Sequence, residues 1–171
     1  DIAARFNNIY GDVFTIPDGF IPKVGARVMS LQDPTRKMSK SDENVNAWVA
    51  ILDKPEDIMR KFKRAVTDSE AEVAFREGKD GVNNLMGIYS AITGKSLEAI
   101  TDEFAGKGYG DFKTAVGEAV VEELRPVREK FDDLMKNRDF LQETWRNGAV
   151  SAEKIANKTL GKVMKKIGFI Y

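Results

Sequence analysis

Residues 112–134 read FKTAVGEAVVEELRPVREKFDDL. Phe112, Val116, Val120, Leu124, Val127, Phe131 and Leu134 recur every three or four positions, the period of a helix that buries one face. This spacing predicts a long principal helix, kinked at Pro126, which removes one backbone donor from the ladder. Working back along the chain, Ser96 can cap a helix carrying Leu97, Ile100 and Phe104 that stops at Gly106. Another helix runs from about Val82 to Thr93, with Val82, Leu85, Met86, Tyr89 and Ile92 on one face and Gly94 as its stop. Asp53 and Glu56 form a capping-box-like start with Pro55 in the first turn, and Ile58, Phe62 and Val66 continue it at spacing four. Working forward, a last helix begins near Ser151 and carries Ile155, Thr159, Val163 and Ile167 before Gly168. From Asp53 onward the expectation is an α-helical bundle.

The first 36 residues read differently. Ile2 to Tyr10 resembles a helix tail stopped by Gly11. Val13-Phe14-Thr15-Ile16-Pro17, Phe20-Ile21-Pro22 and Arg27-Val28-Met29-Ser30-Leu31 are short apolar runs bounded by Gly and Pro, expected to form short strands. Three such strands cannot close a sheet around a core of their own. The fold class expected is therefore mainly α, a remnant of α/β structure followed by a helical bundle.

Composition excludes much chemistry. The 171 residues contain no Cys and no His, which removes disulfides, Cys nucleophiles, Cys-based zinc sites and the usual general base. Lys and Arg number 27, as do Asp and Glu. This neutrality hides a pattern: Arg36 to Arg64 is net basic, Glu98 to Asp133 is net acidic, and Lys154, Lys158, Lys162, Lys165 and Lys166 make a basic end. Such a distribution suits either a polyanion footprint or a solvated helix face. No apolar run approaches the roughly 20 residues that cross a bilayer, and Asp1 opens neither a signal peptide nor an initiator sequence. A soluble, cytoplasmic protein is expected, on a chain whose gene starts further upstream.

One segment carries chemistry. Lys37-Met38-Ser39-Lys40-Ser41 supplies two ammonium groups, two hydroxyls and loop amides, the parts that hold a polyphosphate. The run matches residue for residue the KMSKS signature of class I aminoacyl-tRNA synthetases, and it follows an apolar segment, where that signature belongs. Its surroundings extend the match: residues 21–31, IPKVGARVMSL; Asp33-Pro34-Thr35; residues 65–70, AVTDSE; residues 81–85, GVNNL; Gly106-Lys107-Gly108-Tyr109-Gly110; and Leu124-Arg125-Pro126. Together these resemble the bacterial tryptophanyl-tRNA synthetase family, and specifically its C-terminal half.

The resemblance implies a division into residues 1–51, the end of a Rossmann-like catalytic domain with its KMSKS loop, and residues 52–171, a helical anticodon-binding domain. It implies ATP as substrate, accompanied by Mg2+, with no metal bound by this chain itself. It further implies tryptophan, held in a pocket of the N-terminal half, tRNA(Trp) as acceptor, and a homodimeric enzyme. By the same resemblance Lys37 and Lys40 stabilise the departing pyrophosphate, Ser39 and Ser41 hold its oxygens, Met38 packs or contacts the adenine side, and the Val28 backbone lies against adenine. Gly25 and Pro34 would border the motion of the loop. Trp145, Arg138 and Arg146 are candidates for RNA contact. The histidine-containing signature of the class is absent, so the chain alone is expected to be inactive. Two alternatives stay open: an autonomous helical RNA-binding module, and a relative of tyrosyl-tRNA synthetase.

Overall fold

The computed structural model describes residues 1–21 and 27–169. Six helices follow one another: α1 (Ile2–Tyr10), α2 (Pro55–Lys63), α3 (Asp80–Thr93), α4 (Leu97–Glu103), α5 (Tyr109–Lys136) and α6 (Arg138–Lys166). The chain is mainly α. It divides into two compact units, Ile21–Phe131 and a second made of Asp1–Phe20 with the segment from Asp132 onward.

The Ile21–Phe131 unit holds the buried core. Ile58 and Phe62 of α2, Val82, Leu85, Met86 and Tyr89 of α3, Ile100 of α4, and Phe112, Val116 and Val120 of α5 are all buried. They gather with Leu31, Ala65, Val73 and Phe104 into one cluster. Phe104 meets Phe112 edge-on at 4.9 Å and Tyr89 at 5.8 Å, arrangements that align ring edges with ring faces. The helical positions among these are ones picked out by spacing, because burying one stripe per helix removes apolar area from water. In α5, however, the expected stripe is buried only as far as Val120: Leu124 and Leu134 are half-buried, and Val127 and Phe131 are exposed.

Helix ends follow local chemistry, with two corrections, both at α2. Ser96 Oγ accepts the Ala99 N–H at 3.2 Å, as expected of a cap, and Gly94 ends α3 in the left-handed conformation at φ 72°. The capping box expected at Asp53 does not form: Lys54 precedes Pro55 with no side-chain cap. Asp53 Oδ2 instead accepts from the Ala50 N–H at 2.9 Å and the Lys61 ammonium at 2.6 Å, a nearly buried partner that outcompetes solvent-facing helix amides. Val66 lies past the end of α2, and its N–H donates to the Leu31 carbonyl at 2.7 Å.

Two further expectations are corrected. Among the described residues no strand forms at 13–17 or 27–31, and the only extended pairing is an antiparallel bridge between Met29 and Lys37. The amides of Val13 and Phe14 donate to Asn7 Oδ1, at 3.1 and 3.0 Å, which leaves them unavailable to a neighbouring strand. The last helix starts at Arg138, not near Ser151, with Asn137 Oδ1 accepting the Phe140 N–H. Ser151 Oγ donates back to the Asn147 carbonyl, a bond compatible with a helix interior. In α5, Pro126 leaves the Glu122 carbonyl without its helical donor, and Arg128 Nη2 donates to the adjacent Val121 carbonyl at 2.9 Å. Residues 22–26, including Gly25 and the end of the expected Phe20-Ile21-Pro22 strand, lie outside the described residues.

A charged cluster fastens the start of α5 to the loop before α3. The Lys79 side chain is 2% exposed, and its ammonium lies 3.0 Å from Asp68 Oδ1, Glu70 Oε2 and Tyr109 Oη. Tyr109 Oη donates to Asp68 Oδ1 at 2.6 Å. Burial pushes the Asp68 carboxyl up, but hydrogen bonds from Tyr109, the Glu70 N–H and Lys79 outweigh it and hold the group at about 2. Burial likewise pushes the Lys79 ammonium down, and its bonds to Tyr109, Glu70 and Asp68 outweigh that, leaving it raised. A depressed carboxyl stabilises the fold fully above its ordinary value of 3.8, and that contribution is lost as pH falls towards about 2. Asp68→Asn is therefore expected to lower stability at neutral pH and to flatten its decline between about pH 4 and 2. Urea unfolding across that range measures it, and a decline as steep as in the parent would contradict the assignment.

Candidate nucleotide-phosphate loop

The loop is built from two turns around a short antiparallel pairing. The Ser30 N–H donates to the Arg36 carbonyl at 2.8 Å and the Met38 N–H to the Val28 carbonyl at 3.0 Å, flanking the Met29–Lys37 pair. Asp33-Pro34-Thr35-Arg36 makes the connecting turn, closed by the Arg36 N–H on the Asp33 carbonyl at 3.0 Å. Asp at the first position and Pro at the second suit such a turn. Asp33 Oδ1 accepts from the Thr35 hydroxyl at 2.6 Å and the Thr35 N–H at 3.2 Å. The Thr35 hydroxyl bond, above all, keeps the Asp33 carboxyl below its usual range. Buried Ser30 places its hydroxyl under the same turn, accepting from the amides of Gln32 and Asp33, each at 3.2 Å.

Beyond the pairing, extended backbone alternates its side chains. Lys37 and Ser39 are exposed, while Met38 turns inward and packs on the core cluster. A second turn, closed by the Asp42 N–H on the Ser39 carbonyl at 3.2 Å, carries Lys40 and Ser41 at its exposed tip. Among the described residues neither lysine has an ion-pair partner, and the amides of Lys37, Ser39 and Lys40 have no protein acceptor. The loop thus offers two uncommitted cations with outward amides and hydroxyls, a set suited to phosphate oxygens.

Val28 is half-buried at the base of the pairing. It lines a cleft of about 560 Å³ with Arg27, Met29, Pro34 and the Asn84, Gly87 and Ala91 positions of α3. Lys37, Ser39, Lys40 and Ser41 do not line it, so the structure separates the Val28 cleft from the loop tip. Among the described residues no three acidic side chains group to hold a metal.

Spacing alone missed the residues that hold this loop in place. Leu31 is anchored on both sides, its N–H donating to the Ala47 carbonyl at 2.9 Å and its carbonyl accepting from Val66. Asn83 and Asn84 on α3 each hold a backbone segment by both ends of the carboxamide, Asn83 at Arg76 and Asn84 at Met29. Two adjacent asparagines inside a helix, where their intrinsic propensity is poor, were the signal available in the sequence.

In the other unit, Trp145 is 67% exposed and shares a cleft of about 240 Å³ with Arg138. Arg146 and the lysines at 154, 158, 162, 165 and 166 are exposed. The stripe expected beside those lysines is partial: Thr159, Val163 and Ile167 are half-buried, but Ile155 is exposed. No helix among the described residues is long and apolar enough to cross a membrane.

Comparison with known families now bears on the loop. The family model for tRNA synthetases class I (W and Y) matches residues 1–125, which include the loop and α1 to α4. The chain belongs to this family. Tryptophan-tRNA ligase of Clostridium acetobutylicum is 47% identical over 170 residues, covering 99% of this chain and 51% of the relative. That of Wolinella succinogenes is 49% identical, with 99% and 52% covered. The chain spans about half the length of the curated relatives it matches. Among solved structures, tryptophanyl-tRNA synthetase of Mycoplasma pneumoniae superposes with a TM-score of 0.82 at 28% identity, covering 98% of this chain and 51% of that one. The Campylobacter jejuni synthetase, solved with ADP and tryptophan, gives 0.67 at 28% identity over 98% of this chain and 51% of its own.

Proposed function

We propose that this chain is the C-terminal half of a tryptophan-tRNA ligase and that its loop 37–41 stabilises pyrophosphate as it leaves ATP. The observation that carries this reading is the exposed pair Lys37 and Lys40, uncommitted among the described residues and flanked by amides with no acceptor there, on a loop whose base is pinned. In this reading residues 1–51 belong to the catalytic domain and residues 52–171 to the anticodon-binding domain of a homodimeric, cytoplasmic enzyme.

ATP enters as its magnesium complex. A carboxylate oxygen of tryptophan attacks the α-phosphorus, the bond to the oxygen bridging to the β-phosphorus breaks, and pyrophosphate departs with the electron pair. Negative charge grows on that leaving group in the transition state, where the Lys37 and Lys40 ammonium groups gain most. The Ser39 and Ser41 hydroxyls and the loop amides orient its oxygens, and the Val28 backbone borders the adenine. A terminal hydroxyl of tRNA(Trp) then attacks the activated carbonyl, and AMP leaves. Side chains of the loop form no covalent bond in either step; they act by position and charge.

The test is amino-acid-dependent exchange of pyrophosphate into ATP. The complete polypeptide is expected to catalyse exchange with tryptophan and not with tyrosine, while residues 1–171 alone show none. Exchange driven by tyrosine would place the chain on the other branch of its family. Exchange by the 171 residues alone would show that the pocket does not need another half.

A further inference from the structure

The geometry points to Asn84 of α3 as a positioning residue for Lys37, an inference that rests on the role proposed above for the loop. Met29 and Lys37 face each other in the antiparallel pairing, and the bonds that hold it run through the neighbouring residues, 30 to 36 and 38 to 28. A pair flanked in this way turns its own N–H and C=O groups outward, away from the opposite segment. The Met29 groups would need a third strand to satisfy them, and none is present among the described residues. The Asn84 carboxamide takes that place: its Oδ1 accepts the Met29 N–H and its Nδ2 donates to the Met29 carbonyl, both at 2.9 Å. One planar side chain thus meets both backbone groups, a match only a carboxamide offers.

The consequence is directional. Asn84 sits between the buried Val82, Leu85 and Met86, so its backbone is fixed by the core of the helical unit. Its carboxamide fixes Met29, and Met29 fixes the depth at which Lys37 leaves the pairing. The ammonium that serves the departing phosphate is therefore referenced to α3 and not merely to its own exposed loop. Asn83 supplies the contrast, since it grips Arg76 through the same two bonds, at 3.2 and 2.7 Å, on a segment that does not lead to Lys37.

A double-mutant cycle on the complete ligase reads this coupling. Asn84→Ala is expected to lower the kcat of tryptophan-dependent exchange by up to about a hundredfold, with the KM for tryptophan little changed, as for displacement of a reacting group by about 1 Å. In a Lys37→Ala background the same change is expected to cost less than threefold, because the group it positions is gone. Asn83→Ala, with the same kind of anchor removed, is expected to lower the melting temperature and to combine additively with Lys37→Ala. Asn84→Asp keeps the acceptor for the Met29 N–H and loses the donor to its carbonyl, and it carries the same cycle where the alanine variant does not fold. Additive losses for Asn84 and Lys37 overturn the inference, as does unfolding of both Asn84 variants, which would make the residue structural. Full exchange by Lys37→Ala alone would instead overturn the role of the loop itself.

Discussion

Lys40→Ala in the complete ligase is expected to slow adenylate formation by about a hundred- to a thousandfold, roughly 3 to 4 kcal/mol of transition-state stabilisation. The size follows from where the charge appears. Lys40 stands at the tip of the 39–42 turn, exposed and without an ion-pair partner among the described residues, so its removal leaves no buried charge and no cavity. On the role proposed for the loop, what is lost is an interaction that strengthens only as the bond to pyrophosphate breaks, and such a loss falls on kcat while tryptophan binding holds. Pre-steady-state formation of the adenylate, measured beside equilibrium binding of tryptophan, separates the two. Equal losses in rate and in affinity would make Lys40 a structural residue.

Gly81→Ala is expected to destabilise the 171-residue chain by about 2 kcal/mol, a fall of roughly 4–8 °C in melting temperature. A Cβ on Gly81 would stand 2.1 Å from the Val66 carbonyl oxygen and 3.2 Å from Thr67 Cα, both main-chain atoms that cannot swing aside. Helix propensity argues the other way, since Ala is favoured over Gly by about 1 kcal/mol, so the clash must exceed that gain for the fold to lose stability. It does so because Val66 is itself tied, its N–H bonded to the Leu31 carbonyl. A shift there moves the anchor of the loop that carries Lys37 and Lys40 as well as the start of α3. Thermal unfolding followed by circular dichroism decides the matter; a melting temperature equal to or above that of the parent would show that the two backbones have room to separate.

Gly81 also marks the limit of reading by pattern. As a residue in a helical run it looks like a propensity defect, and nothing near it in sequence names the carbonyl that occupies its missing side chain. Asp53 shows the same limit from the other side. Its spacing to Glu56 satisfied the rule for a capping box, yet Lys61, eight residues on, offered a nearly buried ammonium that the rule does not see. The run Val13 to Pro17 had the composition of a strand but pairs with no segment among the described residues, and Asn7 takes the amides of Val13 and Phe14.

What the sequence determined by itself was that part of the fold governed by neighbours three or four residues apart and not overridden by a tertiary partner, as Asp53 was by Lys61. The Ile58–Phe62 spacing of α2, the stripes of α3 and α4, that of α5 as far as Val120, the Ser96 cap and the Gly94 stop are local, and each residue carries its own reason for being there. The residue types of the KMSKS loop were equally legible, and the phosphate role proposed for them rests on two lysines and two serines in five residues without reference to the rest of the chain. The tertiary structure alone decided how that loop is anchored. Met29 is reached by Asn84 from 55 residues away, and Leu31 by Val66 through main-chain atoms whose identity no side chain records. Hydrogen bonds to backbone groups carry almost no sequence signature, because every non-proline residue brings the same donor and acceptor.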